Sequence, residues 1–270
     1  MVASLSGFTR MAHLKPWRLP AGMASVRDAR RNAFSLLHSC ELLDHPGARM
    51  LVEGLSEAER AVTATMIERG LNSPLTSSMG RLLDAMAAML GICPSATYEG
   101  EPAIMLEAAA WRALGTDGAR PAYDRADSSR YRFDLQEQPV PAPEEQTRQR
   151  RSRVGEYAID QVIELDPTPM VRAALDDLSA GRPVEAIAAD VHFAAAQAVC
   201  DASIQIARRT GIRNIALSGG VFMNRLLLGE VLQRLRAEGL RPLVPSAVPV
   251  NDGCIAFGQA AVARARLCER

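Results

Sequence analysis

Ile215-Ala216-Leu217-Ser218-Gly219-Gly220-Val221-Phe222-Met223-Asn224 runs from a short apolar stretch through a glycine pair to a helix-capping residue. Ile215 to Leu217 reads as a buried strand, and a helix is expected from about Asn224 to Glu238. Two glycines directly after a strand let backbone approach a ligand with no Cβ in the way. The helix start that follows offers unpaired N–H groups and the positive end of its dipole to an anion. Asn224 suits either the cap of that helix or a hydrogen bond to a nucleotide. The spacing is neither G-x-G-x-x-G nor the G-x-x-x-x-G-K loop, so a tight turn without a ligand stands as the alternative. Further on, Pro242-Leu243-Val244-Pro245 reads as a second strand. Val248-Pro249-Val250-Asn251-Asp252-Gly253-Cys254 reads as a second turn, and Ile255 to Leu267 as a last helix. Strand, glycine turn, helix, strand, helix is the order of a parallel α/β unit. In the second turn Asp252 is suited to a helix cap, the commoner role, or to a hard oxygen ligand for a divalent metal.

Upstream, the pattern is mainly helical. A strand is expected over Phe8 to Leu19 and a helix from about Val26 to Leu43. A capping box, Ser56 to Glu59, opens a helix that stops at Gly70. The next runs from Ser77 or Ser78 to Gly91, and another has Pro102 in its first turn and ends at Gly115. Residues 116–165 form a polar linker with closely set Pro139, Pro141 and Pro143, a basic run at Arg148, Arg150, Arg151 and Arg153, and strand-like pieces at Arg130–Leu135 and Tyr157–Leu165. The basic run suits an anion or RNA contact less well than a solvated loop. Helices then follow from Pro169 to Gly181 and from about Pro183 to Thr210.

At 270 residues and 29.1 kDa, with 48% hydrophobic and 23% charged residues, the chain suits one full-sized domain or two small ones. Lys plus Arg and Asp plus Glu are equal at 31 each, and aromatic residues are 4%, which argues against a nucleic-acid binder. No apolar run reaches the roughly 18 residues of a membrane span. Met1 to Arg10 shows no signal-peptide core, so a cytoplasmic protein is expected. Cys40, Cys93, Cys200, Cys254 and Cys268 are scattered, which supports reduced thiols over disulfides or structural zinc. His13, His38, His45 and His192 form no HxxxH or HxH pair, and hydrolase motifs are absent. On the helix after Ser78, Asp84 shares a face with Gly80, Arg81 and Ala88, which leaves room for a bulky group such as a ribose. A surface Asp paired with Arg81 is the plainer alternative. Gly100, in Tyr98-Glu99-Gly100-Glu101-Pro102, again permits close backbone approach.

Together, Met11-Ala12-His13-Leu14-Lys15-Pro16, Thr76 to Asp84, Thr97 to Glu101, Ala216 to Arg225 and Val248 to Gly253 resemble the carbamoyltransferase HypF family, which helps build the cyanide ligands of nickel–iron hydrogenase. The order and spacing are similar to the C-terminal part of that family's Kae-like carbamoyl-transfer domain. The resemblance implies a helix-rich α/β chain, the second lobe of an actin/hexokinase-type (ASKHA) fold, with a nucleotide between two lobes. Residues 1–270 would be a single incomplete lobe: 1–115 a strand plus helices, 116–165 the linker, and 166–270 the nucleotide-binding part.

Several roles come with the resemblance. Ser218, Gly219, Gly220 and Asn224 would contact the phosphates of ATP or carbamoyl-adenylate, Asp84 and Gly100 would lie by the ribose, and Asp252 would be one ligand of an iron or zinc ion. Glu107 falls in a matching stretch without an assigned role. The family's acylphosphatase-like, zinc-finger and YrdC-like parts, and its first lobe with an HxxxH metal pair, are not matched. The chain is therefore expected to be a split or truncated product with an incomplete metal site, and its catalytic competence is left open. The expected partners are a HypE-like protein and a separate N-terminal fragment or a second copy. The alternatives are a non-catalytic interaction lobe and a relative of O-carbamoyltransferases or of the tRNA threonylcarbamoyladenosine synthase, which share the Gly-Gly-Val and Asn-Asp-Gly turns.

Overall fold

Pro16 has no N–H to give a sheet ladder, and the strand expected over Phe8 to Leu19 breaks around it. In its place are β2 (Phe8–Thr9), β3 (Ala12–Leu14) and β4 (Trp17–Arg18), preceded by β1 (Val2–Ala3). β1 and β2 pair antiparallel as a small hairpin. β3 belongs to a sheet in the order β3-β7-β6, with β6 at Asp134–Pro139 and β7 at Gln161–Asp166, while β4 pairs antiparallel with β5 (Leu75–Thr76). The computed structural model describes residues 1–5, 7–115, 129–139 and 161–268. They divide into two units. A terminal unit takes in the described residues of Met1–His13, Leu135–Leu165 and Gln197–Arg270, and a helical unit those of Leu14–Asp134 and Asp166–Ala196. The basic run and the first part of the strand expected from Tyr157 lie outside the described residues; β6 starts later than the Arg130–Leu135 stretch.

In the helical unit the helix expected over Val26 to Leu43 is two, α1 (Met23–Arg27) and α2 (Ala29–Ser39). Asp28 divides them: its backbone is extended at φ −103° and ψ 90°, and its carboxylate accepts the Arg30 N–H that opens α2. A short 3-10 turn at Pro46–Ala48 leads into α3 (Arg49–Glu53). Gly47 is required there, because a Cβ would collide with the Leu175 carbonyl oxygen. α4 (Glu57–Arg69) has both halves of the Ser56–Glu59 capping box, and Gly70 closes it at φ 67°. α5 (Met79–Met89) and α6 (Glu101–Leu114) follow, then α7 (Thr168–Ser179) and α8 (Val184–Thr210), whose residues from Gln197 belong to the terminal unit.

α5 is the hub. Every residue from Leu82 to Met89 is buried, and α5 packs on both α2 and α6. A helix with no exposed face is a core helix, and alanines at 85, 87 and 88 let its neighbours approach closely. Leu36 and Leu37 of α2, Leu82, Leu83 and Met86 of α5 and Leu106 of α6 are among the most deeply buried side chains. Each such burial contributes about 1.5–3 kcal/mol.

In the terminal unit, β8 (Asn214–Ala216) and β9 (Arg241–Leu243) pair in parallel, Ile215 opposite Pro242. Between them α9 (Arg225–Ala237) buries Leu226, Leu227, Val231 and Leu235, and α10 (Ile255–Cys268) ends the described chain. The strand expected to be buried is mostly not: Leu217 is buried, Ile215 is half-buried and Ala216 is exposed. A two-stranded sheet packed by α9 while α10 buries none of its residues leaves much of its surface open. Among the described residues no helix is long and apolar enough to cross a membrane.

Candidate functional site

The two turns after β8 and β9 are tied together by backbone. Leu217 N–H donates to Leu243 O at 2.9 Å, extending the β8–β9 pairing, and Gly219 N–H donates to Val250 O at 2.7 Å. Gly219 sits at φ 107°, open only to glycine, and a Cβ at Gly219 or Gly220 would meet nothing within 4 Å. The turn therefore presents bare backbone to open space, with exposed Ser218 beside it. Gly220–Met223 form a 3-10 turn that leads to Asn224. Asn224 is the cap of α9: its Oδ1 accepts the Leu227 N–H at 2.9 Å, and the residue is buried.

In the second turn the cap is Asn251 rather than Asp252. Asn251 Oδ1 accepts the Gly253 N–H at 3.1 Å, and its Nδ2 donates to Met223 Sδ at 3.5 Å, strapping the second turn to the first. The cap expected at Asp252 thus falls one residue earlier, and nothing local in the sequence singles out Asn251. Asp252 is consequently exposed, and its carboxylate has no hydrogen bond or ion pair among the described residues.

Asp84 and Gly100 belong to the helical unit. Asp84 is 3% exposed, so the surface alternative fails, although its Arg81 partner is present with Nη1 at 3.2 Å. Its other oxygen accepts the Ala103 N–H at 3.1 Å in the first turn of α6. This remote cap is needed because the N-cap position of α6 is Gly100, which has no side chain to do it. Gly100 stands at φ 85° with nothing within 4 Å of a Cβ position. Burial pushes the Asp84 carboxyl above its ordinary value, and Arg81 and the Ala103 N–H recover only part of the shift. Glu107 is half-buried on α6 and accepts from Trp111 Nε1 at 3.3 Å.

Among the described residues no three His, Cys, Asp or Glu side chains gather as a metal site. His192 is fully buried in α8 with Nδ1 2.7 Å from Ala188 O, and burial pulls its imidazole below the usual range. His45 accepts the Gly47 N–H at Nδ1 and meets Asp176 at 3.1 Å through Nε2.

The family described as carbamoyltransferase, Kae1-like domain, second subdomain (HypF type) matches residues 1–259. The chain belongs to that family. It is 33% identical over 263 residues to the carbamoyltransferase HypF homolog of Cupriavidus necator, covering 96% of this chain and 58% of the relative. It is 32% identical over 269 residues to the carbamoyltransferase HypF of Rhodobacter capsulatus, covering 99% of this chain and 30% of the relative. A crystal structure of full-length HypF in the phosphate- and nucleotide-bound form matches with a TM-score of 0.79 and 26% identity, over 98% of this chain and 30% of that one. The structure of HypF from T. kodakarensis matches with a TM-score of 0.68 and 26% identity, over 96% of this chain and 30% of that one. The chain thus spans 58% of the first of these relatives and 30% of the others, and its helix-rich α/β fold is that of the second subdomain.

Proposed function

We propose that this chain supplies one lobe of a HypF-type carbamoyl-transfer site for hydrogenase maturation in the cytoplasm. On this reading the Ser218-Gly219-Gly220 turn takes the phosphates of ATP or carbamoyl-adenylate, and Asp84 and Gly100 of the helical unit are contacts for a nucleoside ribose. The carbamoyl group passes to the C-terminal cysteine thiol of a HypE-like protein. The thiol loses its proton to solvent, a C–S bond forms, the bond from the carbamoyl carbon to the adenylate oxygen breaks, and AMP departs. The observation that carries the reading is the Gly219–Val250 tie, which holds two bare glycines and the unpaired Asp252 in adjoining turns. Backbone N–H groups at the start of α9 suit a phosphate by geometry and dipole, and Asn224 fixes that helix start. Asp252 would serve an iron or zinc ion as one oxygen ligand, with imidazole ligands from the first lobe of such a site. Such a metal would add Lewis-acid polarisation of phosphate or carbamoyl oxygen when bound.

Hydrogenase activity in a strain relying on this gene tests the reading, with protein abundance checked by immunoblot. Asp252→Ala should abolish maturation while the chain still folds, and Asn224→Ala should weaken it, with a helix-cap cost of about 1 kcal/mol. Wild-type activity at equal abundance in both variants would sink the catalytic reading. A second reading, an interaction lobe without catalysis, is favoured by a different observation: Met223, Leu243, Ile255, Phe257 and Leu267 all lie exposed in the terminal unit. It requires both variants to mature hydrogenase normally.

A further inference from the structure

The Asp84 carboxyl is buried on a core helix beside a guanidinium. Arg81, one turn before it on α5, has its guanidinium mostly buried: Nη1 lies 3.2 Å from Asp84 Oδ2, and Nη2 lies 3.4 Å from Glu99 in the turn that precedes Gly100. Nη1 itself is buried without an acceptor in hydrogen-bond geometry, so the pairing with Asp84 is one of charge and close approach. The backbone beneath is fixed. Asn32, fully buried on α2, donates through Nδ2 to the Arg81 carbonyl at 2.6 Å and accepts from Trp17 Nε1 at 2.9 Å through Oδ1. Arg81 therefore stands where it bridges the start of α5 to the turn that opens α6.

We infer that Arg81 is a positioning residue: it holds Asp84 as a carboxylate capping the first turn of α6, and so keeps the open Gly100 turn presented to a nucleoside ribose. The ribose part rests on the function proposed above. A carboxylate has about four acceptor positions. The Ala103 N–H occupies one on Oδ1 and Arg81 approaches Oδ2 outside hydrogen-bond geometry, leaving capacity for ribose hydroxyl donors. A protonated Asp84 would instead offer one O–H and a weaker cap. The groups bearing on Asp84 are few: Arg81 on its own helix favours the charge, the Ala103 N–H from α6 favours it, burial and Glu99 oppose it, and the Cys93 thiol after α5 lies within its field. Arg81 is the sole cation among these groups, and an opposite charge at this range favours the ionised carboxyl against the cost of burial.

The test follows the Asp84 side-chain carboxyl carbon by NMR through a pH titration of the full chain, in wild type, Arg81→Gln and Arg81→Lys. Adenosine is then added at neutral pH while the Gly100 and Ala103 amides are followed. Arg81→Gln should move the Asp84 midpoint upward and weaken the adenosine response several-fold. Arg81→Lys keeps the charge and should restore both. An Asp84 midpoint unchanged in Arg81→Gln overturns the inference. Should that variant not fold, a raised midpoint in Arg81→Lys overturns it equally. If adenosine leaves the Gly100 and Ala103 amides of wild type unmoved while Arg81→Gln still shifts the midpoint, the nucleotide reading of this unit fails and the ribose role falls with it, whereas the charge coupling stands.

Discussion

Asp177 and Asp84 are both buried carboxyls, yet their surroundings drive them in opposite directions. Burial raises both, but Asp177 accepts from Arg130 at 2.9 Å, Tyr131 Oη at 3.0 Å and Arg182 at 2.9 Å, and these bonds outweigh burial and hold it below the ordinary carboxylate range. Burial, then the Asp177 charge, pushes the Tyr131 phenol far up, which keeps it a protonated donor at neutral pH. A carboxyl whose folded pKa is depressed contributes its full stability above the unfolded value near 3.9, and loses it as pH falls through the folded one. Asp177→Asn should therefore destabilise the chain at pH 7 by about 1.5–3 kcal/mol, the usual worth of a hydrogen bond to a charged group. It should also flatten the acid limb of stability against pH. Urea denaturation of both proteins at pH 7 and near pH 3 measures this; an equal gap at the two pH values would show that the Asp177 charge does not hold the network.

Elements announced by local chemistry were legible from sequence, and those decided at a distance were not. Ser56 and Glu59 define the start of α4, and glycines 70, 91, 100 and 115 mark turns at helix ends, each with positive φ. Ser56→Ala should cost about 0.5–2 kcal/mol, since the Glu59 N–H loses its acceptor and the reciprocal bond loosens. A thermal melt unchanged from wild type would mean that α4 is held by its packing alone. By contrast, nothing near Asp84 in sequence shows that it caps a helix start 19 residues away, nor that Asn32 supports Arg81 from 49 residues away. The same holds for the break at Asp28: the apolar spacing continues through it, and the division is made by a backbone turn whose Asp side chain caps the second helix. At the candidate site the glycine turn was legible because a strand and a cap flank it. The Asn251 strap was not, because its partner Met223 lies on another turn.

At the scale of the whole chain, stability should be unevenly distributed. α5 buries an unbroken run from Leu82 to Met89, so its amides open only when the helical unit loses its core. α10 is the opposite case: 14 residues long, it buries none of them, carries Gly258 in its interior and leaves Ile255, Phe257 and Leu267 exposed. An isolated helix of about 12–15 residues is marginal in water, and an interior glycine costs roughly a further 1 kcal/mol. Hydrogen exchange on the dilute chain should therefore show amides of residues 259–268 exchanging orders of magnitude faster than those of residues 83–89. Raising the protein concentration should slow α10 selectively if its apolar side chains find a second copy, because association adds the missing burial without touching α5. Slow exchange in α10 at every dilution, matching α5, would show that the helix is anchored within the chain, and its exposed apolar residues would then no longer support an interaction lobe.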